Sequence, residues 1–173
     1  QHPDSPGFTK AYKYFYASSK NFDLLRYDMV LLWKAEALIE LGRQDDALAL
    51  INEIRTRAKN SINLLRYSNG DYVSNYFMDI YQPTVNCTWT QDFARNALRW
   101  EGRLEFGTEC WRFFDLVRWG IAAETINDYF EVEKNRHEYL NDARFTKNKD
   151  EYMPIPEQQI DFSEGLYTQN YGW

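Results

Sequence analysis

Residues 100–120 read WEGRLEFGTECWRFFDLVRWG, and this stretch decides the fold more than any other. Its charges and its large aromatic residues recur at helical spacing, with roughly 100° between successive residues. The aromatic residues fall on two faces, one carrying Trp100 and the other Phe106. A helix that is apolar on two faces is buried on two sides. We therefore predict a buried keystone helix over residues 90–120, with a bend or break near Gly107.

The charged residues of this segment form a stripe between the apolar faces. Glu101, Glu105 and Glu109 are spaced by four residues. Since a lone buried charge is too costly to keep, we expect these carboxylates to be paired. The predicted structural ion network contains Glu101, Arg103, Glu105, Glu109, Arg112, Asp115 and Arg118. The alternative is a glycosidase in which Glu105 and Glu109 serve as general acid and base, and it requires both groups to be open to solvent.

Composition excludes several classes of function. The chain has 173 residues, a length that fits one domain, residues 1–173. A net charge of -6 without a basic run argues against nucleic-acid binding. The two histidines and the two cysteines have no metal-ligand spacing, and no cofactor motif appears, so we expect neither metal nor cofactor. Because the chain does not begin with Met, we expect a piece of a longer protein, whose N-terminal part is missing.

Residues 22–60 predict a helical hairpin. A strong helix ends at Gly42, and a second begins at Asp45 with Ala47 and Ile51 on one face. The small residues at the helix contact are spaced as in a tetratricopeptide unit. The fold class is therefore mainly α: a tetratricopeptide-like hairpin packed with further helices, long loops and a small β-hairpin.

Residues 60–89 predict a long loop rich in tyrosine and asparagine. Flat rings beside amide and carboxylate groups suit sugars, since the ring covers the apolar face of the sugar and the polar groups bind its hydroxyls. The alternative is that the rings fix the loop onto the core. The candidate ligand contacts are Tyr72, Tyr76, Trp89, Asn69 and Asp71.

The two ends of the chain predict little helix. Residues 8–16 alternate loosely and are typical of a short strand. Residues 143–173 are expected to be extended, with a β-hairpin around Lys147–Lys149, because Pro154 and Pro156 restrict the backbone.

Three segments, in order along the chain, resemble the SusD/RagB family of outer-membrane nutrient-binding lipoproteins. The first is the hairpin, where residues 22–42 are followed by Ala47 and the run INEIRTRA at residues 51–58. The second is the keystone segment, and the third is the close of the chain, with PIP at residues 154–156 and Gln169-Asn170. Family members are considerably longer, so the resemblance covers their C-terminal part only.

The resemblance implies a binding protein without enzymatic activity. Such proteins are held at the cell surface by a lipid anchor in their N-terminal part and deliver a nutrient, usually an oligosaccharide and sometimes a peptide, to a SusC-like TonB-dependent outer-membrane transporter. The matched motifs are scaffold motifs and carry no ligand residues onto this sequence. From the residues alone, a helical-repeat adaptor that binds other proteins remains an alternative.

Overall fold

The computed structural model describes residues 23–173. They belong to two compact units, the first ending at Glu101 and the second beginning at Gly102. The predicted mainly helical class is confirmed, and between residues 23 and 173 no β-strand forms. The strand expected at residues 8–16 lies outside the described residues. In order, the described helices are α1 Tyr27–Glu40, α2 Gln44–Ser61, α3 Gln91–Glu105, α4 Arg112–Arg118, α5 Ala122–Glu133, a 3-10 helix Glu138–Leu140 and α6 Glu157–Phe162.

Helices α1 and α2 form the predicted antiparallel hairpin. Gly42 ends α1 in a left-handed conformation, with φ of 73°, that glycine adopts without strain. The Arg43 N–H donates to the Leu38 carbonyl at 2.8 Å and the Gly42 N–H to the Ile39 carbonyl at 3.0 Å, which is a Schellman motif. The turn brings together the apolar faces of the two helices. Their buried side chains are Met29, Leu31, Leu32, Ala35, Ile39, Ala47, Ile51 and Ile54.

Helix α3 begins against the end of α1. Thr90 caps α3, with its hydroxyl accepting from the Phe93 N–H at 3.3 Å. The Gln91 side chain donates to the Ile39 carbonyl at 2.7 Å, which satisfies one of the carbonyls that α1 leaves open at its end. Arg95 binds both carboxylate oxygens of Glu40, at 2.7 and 2.9 Å. These contacts fix the first turn of α3 in unit 1.

The keystone segment forms two helices and not one continuous helix. Helix α3 ends at Glu105, and α4 begins only at Arg112. The break falls at the predicted Gly107, where Thr108 and Cys110 take positive φ values of 73° and 66°. Residues in the left-handed region cannot continue a right-handed helix, so the charged stripe does not extend beyond Glu105. Burial on two sides is also not found here, since Trp100 is 55% exposed.

Unit 2 has a small core of its own. Leu116, Ala122 and Phe145 are buried at its centre. Gly120, with φ of 71°, ends α4, and the Ile121 N–H donates to the Leu116 carbonyl at 3.0 Å. The turn at Gly120 lets α4 and α5 share this core. The half-buried residues around it are Val117, Trp119, Ile121, Ala123, Ile126 and Phe130.

The end of the chain differs from the prediction in two ways. It is not extended throughout, because α6 follows directly after Pro156: proline is excluded from helix interiors, but it is tolerated where a helix begins. The β-hairpin expected around Lys147–Lys149 is also absent, and turns occupy residues 147–152 instead. The Trp173 indole N–H donates to the Tyr152 carbonyl at 3.1 Å, so the last residue folds back onto these turns.

Candidate functional site

The segment from Tyr76 to Trp89 lies along α2 and runs in the opposite direction. Its contacts with α2 begin near the end of that helix and finish at its start. The Tyr76 hydroxyl donates to the Ala58 carbonyl at 2.7 Å, and Asp79 pairs with Lys59 at 2.7 Å. Further along the segment, Tyr81 pairs with Asn52, and Trp89 reaches Gln44. Helix α2 therefore buries its apolar face against α1 and holds the aromatic loop with its polar face.

Asn52 holds this segment with a pair of hydrogen bonds. Its amide nitrogen donates to the Tyr81 carbonyl at 2.8 Å, and its amide oxygen accepts from the Tyr81 N–H at 2.8 Å. The side-chain amide thus makes the two hydrogen bonds that the backbone of a neighbouring strand would make in a sheet. Asn52 belongs to the run INEIRTRA at residues 51–58, but its contact with Tyr81 was not predicted from the sequence. The sequence signal for such a contact was weak: an amide on the polar face of an amphipathic helix, three residues before an arginine.

Arg55 joins the loop to α3. Its guanidinium donates to the Asp79 carbonyl at 2.7 Å and pairs with the carboxylate of Glu101. The same guanidinium lies over the Tyr81 ring, 4.1 Å from its centroid, a distance at which cation–π attraction operates. The Lys59 ammonium and then the Ile80 N–H hold the pKa of Asp79 below its usual value. One arginine thus contacts two elements of unit 1.

Glu101 is the most buried charged residue of the predicted network. Its exposed fraction is 2%, and its partners are Arg55 and the Tyr81 hydroxyl, which donates at 3.3 Å. Burial and then the Glu101 charge raise the pKa of Tyr81, so its hydroxyl stays a donor. In unit 2, Asp115 pairs with Arg118 at 2.9 Å. The remaining members each have at least one partner: Arg103, Glu105, Glu109 and Arg112.

Trp89 is buried, which contradicts the exposure that the site prediction assumed for it. The residue is 9% exposed, and its indole N–H donates to the Gln44 carbonyl at 2.9 Å. Its ring lies 5.4 Å from that of Tyr81 and 5.7 Å from that of Phe93. The indole therefore closes an aromatic cluster, because covering its large apolar surface and satisfying its N–H stabilise the loop more than exposure would.

The other four candidates stay accessible. Residues 66–72 form a tight turn closed by an antiparallel bridge between Arg66 and Tyr72. At its tip, the Asn69 amide donates to the Asp71 carboxylate at 2.7 Å. The Tyr72 ring is 47% exposed, and one face is covered by the Arg66 guanidinium, 4.0 Å from the centroid. The turn thus brings Asn69, Asp71 and Tyr72 together, whereas Tyr76 is held separately by α2.

The 66–72 turn presents groups that are suited to non-covalent binding. One guanidinium-backed ring beside an amide and a carboxylate offers a stacking surface, a donor and an acceptor on a hydrogen-bonded turn. Across residues 23–173, no group of three His, Cys, Asp or Glu side chains is placed to hold a metal ion. Both cysteines are free thiols, with Cys110 exposed and Cys87 half-buried. In the same part of the chain, no helix has the length and apolar character needed to cross a membrane.

Comparison with known proteins decides the family. The family model described as the SusD family matches residues 5–173. The chain belongs to the SusD/RagB family. SusD-like protein P2 of Formosa agariphila is 27% identical over 161 residues, which are 90% of this chain and 26% of that protein. SusD-like protein P38 of the same organism is 31% identical over 116 residues, which are 67% of this chain and 20% of that protein. The chain thus spans about a quarter or less of these relatives.

Proposed function

We propose that this SusD/RagB chain is part of a cell-surface protein that captures an oligosaccharide nutrient and delivers it to a SusC-like TonB-dependent outer-membrane transporter. The observation that carries the proposal is the family match over residues 5–173. In the proposal, a lipid anchor outside this chain holds the protein at the outer membrane, and no bond is made or broken in the ligand.

The geometry of the 66–72 turn supports the carbohydrate part of the proposal. The open face of Tyr72 covers the apolar face of a sugar ring, while Asn69 and Asp71 bind hydroxyls next to it. Because the Arg66 guanidinium lies on the other face, the ring is already oriented before a ligand arrives. Recognition of this kind gives modest affinity per sugar, since each ring and hydroxyl contributes little alone.

The ligand proposal is tested by calorimetric titration of the protein with neutral hexasaccharides of glucose, mannose and xylose. Tyr72→Ala is expected to weaken binding about five-fold or more, because the stacking surface is lost. Tyr167→Ala removes a ring of similar exposure in unit 2 and serves as the control. Unchanged affinity in Tyr72→Ala, with a ligand that the parent binds, would remove the turn from the proposal.

The transport proposal is tested in intact cells. We expect an epitope tag on the protein to be accessible to an added antibody, and a TonB-dependent transporter to copurify with the protein from detergent-solubilised outer membranes. A tag that becomes accessible only after lysis, or purification without a transporter, contradicts the proposal.

Two alternatives are less well supported. A helical-repeat adaptor is expected to lack exposed aromatic residues beside its groove, whereas the loop exposes Tyr67 and Tyr72. A glycosidase acting through Glu105 and Glu109 requires both groups to be open to solvent, whereas Glu105 is half-buried and both carboxylates have interaction partners. Helix α3 ends at Glu105, so the two carboxylates do not lie one turn apart on a common face.

A further inference from the structure

A cleft of about 690 Å³ lies within unit 2, and the 66–72 turn contributes nothing to it. Arg103 lines it from the last turn of α3, and Arg112 and Leu116 line it from α4. Helix α5 contributes a row of side chains at helical spacing: Glu124, Thr125, Asp128 and Tyr129. Its volume lies within the range of about 300–1,000 Å³ that is typical of small-molecule sites.

The cleft has a buried base and an accessible edge. Leu116, in the core of unit 2, is 4% exposed. Tyr129 is 55% exposed and belongs to a face of α5 different from that of Asn127, whose amide holds the backbone of Phe145. The Glu133 carboxylate, also in the lining, is fixed by Arg136 at 3.0 Å. An aromatic ring thus stands at the accessible edge of a cleft whose polar groups are partly fixed in position.

The charges of the lining select the class of ligand. Two guanidinium groups, of Arg103 and Arg112, stand against three carboxylates, of Glu124, Asp128 and Glu133. Since Arg136 already neutralises Glu133, neither sign of charge is in excess, and the lining favours neither a polyanion nor a polycation. A neutral ligand rich in hydroxyls would find donors in the guanidinium groups, acceptors in the carboxylates and a stacking surface in Tyr129.

We propose that the cleft between α4 and α5 is a second carbohydrate-binding site, specific for neutral oligosaccharides and separate from the 66–72 turn. The inference rests on the proposed function, because it assigns the same class of ligand to a second place.

The test uses the full-length protein and calorimetric titration with neutral hexasaccharides of glucose, mannose and xylose, with hexagalacturonate as the anionic probe and a lysine hexapeptide as the cationic one. Tyr129→Ala and Asp128→Ala are each expected to weaken binding of a neutral hexasaccharide about five-fold. Tyr139→Ala, whose ring is 79% exposed on the 3-10 helix, is the matched control and should bind like the parent. Hexagalacturonate and the lysine peptide should give the same heat of binding with the parent as with Asp128→Ala.

The outcomes separate the two proposals. If Tyr129→Ala and Asp128→Ala both keep the parental affinity while Tyr72→Ala loses it, the cleft inference is overturned and the proposed function stands. If affinity is lost in Tyr129→Ala and Asp128→Ala but kept in Tyr72→Ala, the cleft is supported as a binding site and the 66–72 turn is not. If the lysine peptide binds and Asp128→Ala abolishes that binding, the cleft takes cationic peptides and the inference is overturned. If the parent binds no hexasaccharide, both proposals fail.

Discussion

At the scale of single residues, Arg55 connects three parts of unit 1: α2, the aromatic loop and α3. It is the partner of the buried Glu101 carboxylate and also holds the backbone of the aromatic loop at Asp79. A buried charge that loses its partner is strongly destabilising, whereas an exposed ion pair contributes little. The family motif at residues 51–58 therefore has a physical meaning, since its arginine neutralises a glutamate of the keystone segment.

We predict that Arg55→Met lowers the free energy of unfolding by about 3 kcal/mol or more, because Glu101 then stays buried without its cation. Arg57→Met, in the same helix, is the control, and a change of about 0.5 kcal/mol or less is expected since its side chain is 53% exposed. Urea unfolding followed by circular dichroism measures both. Equal effects of the two substitutions would show that the buried pair is not a main support of the fold.

The pair between Glu40 and Arg95 gives a prediction about pH. The hydrogen bonds from Arg95 lower the pKa of Glu40 below its ordinary value. A carboxyl group whose pKa is lowered by folding adds stability above its pKa in the unfolded chain, which is about 4.3, and this stability is lost as the pH falls through the folded-state pKa. We therefore expect Glu40→Gln to be less stable than the parent at pH 7, with a difference that shrinks as the pH falls below about 4.3.

The measurement is urea unfolding of parent and variant at pH values between 3 and 7. Glu53→Gln, a substitution of an exposed residue in α2, is the control and should show no such trend. A difference between the parent and Glu40→Gln that stays constant as the pH falls would mean that the charge of Glu40 does not contribute to stability.

At the scale of elements, side-chain amides hold three irregular segments in place by the same means. Asn52 binds both backbone groups of Tyr81, and Asn127 binds those of Phe145, with both bonds at 2.9 Å. Gln169 binds those of Ile155, at 2.8 and 2.9 Å. In each case the amide replaces the backbone partner that a strand would have in a sheet. This explains how long loops are ordered where no sheet forms among residues 23–173.

We predict that Asn52→Ala destabilises the protein by about 1–3 kcal/mol, because the Tyr81 N–H and carbonyl lose their partners in a half-buried place. Asn52→Asp should destabilise at least as much, since it keeps the acceptor but turns a carboxylate oxygen toward the Tyr81 carbonyl. Asn60→Ala, at an exposed position near the end of α2, is the control. Thermal unfolding measures all three, and a parental midpoint in Asn52→Asp would contradict the two-bond arrangement.

The hairpin of α1 and α2 could be predicted from sequence because its signals are local. Periodic apolar residues and a glycine at Gly42 determine two helices and the turn between them. The amide contacts could not, because Asn52 and Tyr81 are 29 residues apart and nothing near either residue specifies the other. The tight turn at residues 66–72 could also have been predicted, because Asn69-Gly70 is a strong local turn signal. Asn69-Gly70 is a more specific turn signal than the polar run at residues 147–149, where the hairpin was expected and does not form.

At the scale of the whole molecule, the site could be predicted only in part. A tyrosine in a polar loop can be a ligand contact or a core residue, and composition does not distinguish these, because the choice depends on what the rest of the chain places against it. Both results occur within one loop: the Tyr72 ring is 47% exposed, whereas the Trp89 ring is 9% exposed and packs in the core. The interruption of the keystone segment could be predicted near Gly107, but its length could not, because the length depends on the backbone conformation of the residues that follow.

The last prediction separates stability from recognition in the aromatic loop. Trp89→Ala should destabilise the protein by about 3–5 kcal/mol, because it removes a buried indole from a cluster with Tyr81 and Phe93. Tyr72→Ala should change the free energy of unfolding by about 0.5 kcal/mol or less, because an exposed ring makes few packing contacts. Urea unfolding and hexasaccharide titration on the same two variants test this division. If Trp89→Ala unfolds at the parental urea midpoint but loses hexasaccharide binding, the indole is a ligand contact and not a structural residue of the loop.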